Sequence, residues 1–181
     1  ISLFTSVHRY LGWRYFFAVF SAGYFAYLCI RGFGLRPATA ILIGTAYASM
    51  PTLLTFVYPG QEAKMLVIGL FPLMVWGLHG IIATGHWAHV LLLSAGVGAA
   101  VYTPHLQMLY YSLIGLGLLF LVETTARALK ERDSRWVLRR YALSAGAILL
   151  GLTIGSVGFV PQYYYTKTES RRAGEDGEGV G

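Results

Sequence analysis

Between Met65 and Val122 the chain carries no Asp, Glu, Lys or Arg, an uncharged run of 58 residues in a protein of 181. As one helix it would be about 87 Å long at about 1.5 Å per residue, nearly three times the roughly 30 Å hydrocarbon core of a bilayer. A water-soluble domain of this size has no interior able to hide such a run, so the solvent for most of the chain is lipid. Composition agrees: mean hydropathy is +0.57, and charged residues make up 12% of the chain against about a quarter in soluble domains. The expected fold is all-α, a polytopic integral membrane helix bundle.

A crossing helix needs about 20 residues, so the run must hold three. Its natural breaks are Thr84-Gly85 and Thr103-Pro104, giving spans near 65–83, 86–103 and 105–122. Upstream, 11–30 is a span if Arg14 snorkels to the interface. The stretch 37–57 is another, opening on a proline where the missing N–H costs nothing and broken near Pro51. The sixth is 141–160, with Pro161 expected to end it. Residues 1–166 would form the bundle and 167–181 a flexible tail.

Loop charges orient this arrangement. Arg31 and Arg36 follow the first span, and the connection from 123 to 140 holds six basic residues against three acidic. Glu62 and Lys64 cancel between the second and third spans, and the tail from 167 has four acidic residues against three basic. By the positive-inside rule the first, third and fifth loops are cytoplasmic and both termini extracytoplasmic. Arg9 and Arg14 on the outer side run against the trend. The net charge of +6 is thus loop charge, not the footprint of a nucleic-acid partner. Membrane lipids, and other membrane subunits, are the partners such a chain implies.

This orientation gathers three polar features on the outer side. They are the turn with Gln61, Glu62 and Lys64; His105 and Gln107, with Tyr110 and Tyr111 a turn deeper; and the exit of the last span, Tyr163 to Tyr165, followed by Arg171 and Arg172. Polar groups converging on one end of an apolar body mark a candidate site. Each also has a structural reading: a solvated loop, an interhelical hydrogen-bonding pair, an aromatic belt.

His79, His86 and His89 fall near the cytoplasmic ends of their spans. A histidine pair on neighbouring helices is able to ligate a haem or a pigment magnesium, but no CxxCH motif supports it, and interface anchoring is the simpler role. Cys29, the single cysteine, reads as apolar filler. No P-loop, GxGxxG, HExxH or nucleophile elbow occurs, and no carboxylate pair offers a metal site, so no cofactor is identified. Gly115, Gly117, Gly146, Gly151, Gly155 and Gly158 read as close helix-packing surfaces. Arg outnumbers Lys 11 to 3 and Asn is absent, a bias that suits a GC-rich bacterial genome.

Several segments in order carry a resemblance: Tyr27-Leu-Cys-Ile-Arg31-Gly-Phe-Gly34, Tyr58-Pro-Gly60-Gln-Glu-Ala-Lys64, Leu70-Phe-Pro72-Leu, His105-Leu-Gln107-Met-Leu-Tyr110-Tyr111, and Ser170-Arg171-Arg172-Ala-Gly174. Together they resemble the YfhO-like bacterial membrane proteins of the GT-C superfamily of polytopic glycosyltransferases. The resemblance implies transfer of a sugar from a polyprenyl-phosphate carrier at the outer face of the bacterial cytoplasmic membrane. On that footing Lys64, Arg171 and Arg172 would stabilise the departing phosphate. His105 and Gln107 would hydrogen-bond phosphate or sugar, and Tyr110, Tyr111 and Tyr165 would line the path. Where the family often has Gly-His before the lysine, this chain has Gly60-Gln61. The family's catalytic Asp lies upstream of the residues present, so the expectation is a segment of such an enzyme; the alternative is a non-catalytic accessory subunit of a larger membrane complex.

Overall fold

The computed structural model describes residues 7–103, 105–131 and 134–168, and within them every regular element is a helix. These are α1 (Val7–Gly32), α2 (Pro37–Ala48), α3 (Pro51–Thr55), α4 (Glu62–Thr84), α5 (Trp87–Tyr102), α6 (Leu106–Glu131) and α7 (Ser134–Thr168). Arg171 and Arg172 lie outside the described residues.

Helix boundaries follow local chemistry. Pro37 and Pro51 each sit in the first turn of a helix behind an extended residue, so the break expected near Pro51 separates α2 from α3. Gly85 closes α4 in the left-handed conformation (φ 66°), its N–H bonding Ile81 O at 2.8 Å, a backbone state that strains any residue with a Cβ. His86 then starts α5, its Nδ1 accepting from the Ala88 N–H at 3.2 Å.

Two expectations are corrected. The last helix does not end at Pro161: α7 runs on to Thr168 with the proline inside it. Proline removes one hydrogen bond, whereas leaving the helix in apolar surroundings strands several backbone groups. The connection from 123 to 140 is likewise mostly helix, because α6 extends to Glu131 and α7 begins at Ser134. The segment Glu123–Glu131 is rich in Ala, Leu, Arg, Lys and Glu, strong helix formers that carry α6 past its apolar stretch.

Five segments are long and apolar enough to cross a membrane: Arg9–Gly32, Pro37–Thr55, Glu62–Thr84, Leu106–Leu129 and Arg135–Tyr165. α5 is apolar but has only 16 residues, about 24 Å of helix. The chain is therefore a helical bundle of multi-pass membrane type.

α4 is its centre: 61% of its most apolar stretch is buried, against 17–22% in the other four long segments. One core cluster joins α4 to α5, α6 and α7 through Met74, Leu78, Ile81, Leu93, Val97, Leu116 and Ala147. A second joins α1, α3 and α4 through Ala18, Ala22, Leu53 and Met65. Between α5 and α7 the expected glycine surface is present. Gly151 and Gly155 would meet Val97, Val101 and the carbonyls of Ser94 and Gly98 if they carried a Cβ. Small residues four apart on both helices let the backbones approach, which is what drives association where lipid is as apolar as leucine. Ser94 adds an interhelical bond, its Oγ 2.9 Å from Ala147 O. Gly115 packs on Phe71, whereas Gly117 and Gly146 face open space.

Candidate functional site

The relative direction of α1, α4 and α6 sets which polar groups share an end. His79 on α4 pairs with Glu123 on α6, 44 positions on, and Phe71 packs on Gly115 at the same offset. The two helices therefore run parallel. Continuing that register toward their starts puts Gln61 level with His105. Arg14, early in α1, bonds Glu62 at the start of α4, so α1 begins at this end too. Gln61, Glu62, Lys64, His105 and Gln107 accordingly share one end of the bundle.

A turn at Gly60 (φ 70°) presents them, with Gln61 N–H bonding Phe56 O at 3.0 Å. Gln61 occupies the N-cap position of α4 and makes no side-chain cap; its carbonyl accepts from the Lys64 N–H at 3.1 Å. Glu62 in the first turn lies where the helix dipole favours a carboxylate. One of its oxygens is 2.8 Å from Arg14 Nη1, and the other is enclosed without a partner. That pairing compensates the Arg14 charge at this end of the bundle. Lys64 Nζ lies over the Phe56 ring, 5.4 Å from its centroid, a cation–π contact that keeps the charge at the rim.

His105 is half-buried, and its Nδ1 is enclosed with no hydrogen-bond partner. Its carbonyl starts α6 by accepting from the Met108 N–H at 3.2 Å. Gln107 is exposed and donates to the Tyr111 hydroxyl at 3.3 Å, one turn along. Tyr110, Tyr111 and Tyr165 are all more than half exposed and face outward from the bundle. No hydrogen bond joins Lys64 to His105 among the described residues. Cavities of about 470, 440, 270 and 180 Å³ lie along the helices, and none of these four is lined by Lys64, His105 or Gln107. Among the described residues, the candidate site is a shallow polar end where Lys64 makes no ion pair and His105 Nδ1 has no hydrogen-bond partner.

The opposite end holds groups that sequence reasoning missed. His79 Nδ1 is 3.0 Å from both carboxylate oxygens of Glu123, and the His79 ring lies 4.0 Å from that of Phe33. Glu123 was expected to be a loop charge. Its signal was its position: it is the first charge after the long run, and His79 ends the α4 stretch that a parallel α6 places beside it. Arg140, also read as loop charge, is buried, with its guanidinium packed on Gly85 and over the Trp136 ring at 5.4 Å. A cation there faces the carbonyl end of α4. The three histidines do separate work: His79 holds Glu123, His86 caps α5, and His89 packs on Gly80. No three metal-ligating side chains converge among the described residues.

No known protein family matches the chain. No curated protein and no solved structure matches it either.

Proposed function

We propose that the chain crosses the bacterial cytoplasmic membrane six times, with both termini extracytoplasmic. Its Gln61–Lys64/His105 end would handle the phosphate of a polyprenyl-linked sugar, as a segment of a GT-C-like glycosyltransferase. The observation that carries this reading is the shared end of α4 and α6, which sets Lys64 and His105 on one side of the bundle. Arg14 pairs with Glu62, and Lys64, in no ion pair among the described residues, keeps its charge for an anionic group. His105 offers a ring nitrogen with no internal partner.

A second reading has its own observation. The carboxylate at this end, Glu62, is engaged by Arg14, which favours an accessory subunit that contributes helices rather than a base. The experiment is sugar transfer from a polyprenyl-phosphate donor by the full-length protein in membranes, with Lys64→Ala and His105→Ala. Loss of transfer in both variants, with unchanged folding, supports the site. Unimpaired transfer in both removes it, and a complete absence of transfer by the wild type favours the accessory role.

A further inference from the structure

α6 and α7 diverge around a cleft of about 270 Å³, with Leu113, Leu116 and Gly117 on one wall and Tyr141, Ser144 and Ile148 on the other. Phe120 and Tyr141, edge-on with centroids 4.6 Å apart, join the helices at the end nearer the α6–α7 connection. The cleft opens behind them. Its lining is apolar except for the hydroxyls of Tyr141 and Ser144. Ser144 is 5% exposed, and its Oγ is buried with no hydrogen-bond partner. Other hydroxyls in the bundle return to their own helix: Thr84, Ser94, Ser112, Thr124 and Thr153 each donate to the carbonyl four residues back. Ser144 makes no such bond and sits in the wall of the cleft. A buried donor left unmet is costly, so this one is poised for an acceptor that arrives with the occupant.

Charge identifies the occupant. Arg127 lies seven positions beyond Phe120, two helical turns along the same face of α6 toward the α6–α7 connection. It is half-buried and makes no ion pair among the described residues. Phe120 faces Tyr141, which puts Arg127 about 15 Å along the bundle from Ser144. The arginine side chain spans part of that distance, and a phosphate joined through glycerol to an ester spans the rest. We propose that this cleft binds an acidic glycerophospholipid: one acyl chain fills the cleft, an ester carbonyl accepts from Ser144 Oγ, and the phosphate pairs with Arg127. The inference rests on the chain being membrane-embedded and is independent of the glycosyltransferase reading, since it uses the opposite end of the bundle.

The test is native mass spectrometry of the full chain in detergent, titrated with phosphatidylglycerol, its diether analogue lacking ester carbonyls, and phosphatidylcholine of equal chain length. Wild type is expected to bind the diester phosphatidylglycerol tightest. Ser144→Ala lowers that affinity about fivefold, the size of one neutral hydrogen bond, and leaves the diether lipid unaffected. Arg127→Gln abolishes the preference over phosphatidylcholine. Gly117→Leu fills the cleft and blocks binding, and because a Cβ at Gly117 meets nothing within 4 Å, the helix tolerates it. Equal binding of the acidic and zwitterionic lipids, full affinity in Ser144→Ala, retained binding in Gly117→Leu, or a protein dimer that Gly117→Leu dissolves would each overturn the proposal. A chain that stays monodisperse in water without detergent would instead overturn the membrane reading beneath it.

Discussion

The Tyr47 hydroxyl donates to the carbonyl of Ile68 at 2.9 Å, across 21 positions and from α2 to α4. Ile68 stands four residues before Pro72, and proline has no N–H with which to bond that carbonyl. Pro72 is buried in the most enclosed helix of the bundle, where no water replaces the lost donor. Tyr47 thus repairs the break that Pro72 makes. The repair also ties α2, a helix whose surface is otherwise largely exposed, to the centre of the fold.

Removing the hydroxyl therefore leaves a buried carbonyl unmet. Tyr47→Phe is expected to lower stability by about 1–3 kcal/mol. Pro72→Ala supplies the helix's own donor, so the same tyrosine change in that background should cost well under about 0.5 kcal/mol. Unfolding in mixed micelles measures both. An equal cost in the two backgrounds would mean that the hydroxyl does not serve the proline gap.

The α5–α7 seam gives a second expectation. Gly155 faces the Gly98 carbonyl and Val101, so any Cβ there forces the helices apart, whereas Gly146 on the same helix faces open space. Gly155→Leu should destabilise by about 1–3 kcal/mol or more, and Gly146→Leu should be nearly neutral. The sequence marks both glycines alike. Which of them packs depends on the rotation of α7 about its axis, and in a helix apolar all round no polar stripe fixes that rotation.

The same limit explains what was legible elsewhere. The uncharged run from 65 to 122 and the breaks at Gly85 and Pro51 place α4, α5 and the start of α6 to within a few residues, because solvation and proline chemistry act locally. Gln61, Lys64 and His105 sharing an end follows from alternating crossings. The pairs Arg14–Glu62 and His79–Glu123 did not follow, although each joins residues at matching ends of parallel helices. Seeing them requires knowing that α1 and α6 both flank α4, a choice of neighbours that uniform apolar faces leave open. Pro161 was misjudged for another reason: proline ends a helix where water waits to solvate the freed carbonyl, and α7 has less water to offer there.

Arg14–Glu62 is the more exposed ion pair, with side chains 39% and 23% accessible. Its net worth should be small and sensitive to salt. Arg14→Gln is expected to change stability by less than about 1 kcal/mol at moderate ionic strength. Its larger effect falls on the site, because the freed Glu62 carboxylate then competes with any anionic group for Lys64. Binding of inorganic phosphate or pyrophosphate to the end of the bundle should weaken in Arg14→Gln and recover in Arg14→Gln/Glu62→Gln. Phosphate binding indifferent to both changes would separate Glu62 from the candidate site.

His79–Glu123 sits deeper, with side chains 16% and 17% accessible, and so differs in kind. Among the described residues each partner is the other's sole side-chain hydrogen bond, and Phe33 covers the imidazole face. Truncating one partner leaves the other buried and unmet, which costs more than the pair itself contributes. Glu123→Ala is expected to cost about 2 kcal/mol. Glu123→Gln should cost less, because a carboxamide oxygen still accepts from Nδ1–H. The double change His79→Leu/Glu123→Leu should cost less than Glu123→Ala alone, since two apolar side chains fill the space and no polar group is stranded. If the double change proves as damaging as the sum of the single truncations, the pair is a source of net stability rather than a matched set of buried groups, and the parallel register of α4 and α6 depends on it directly.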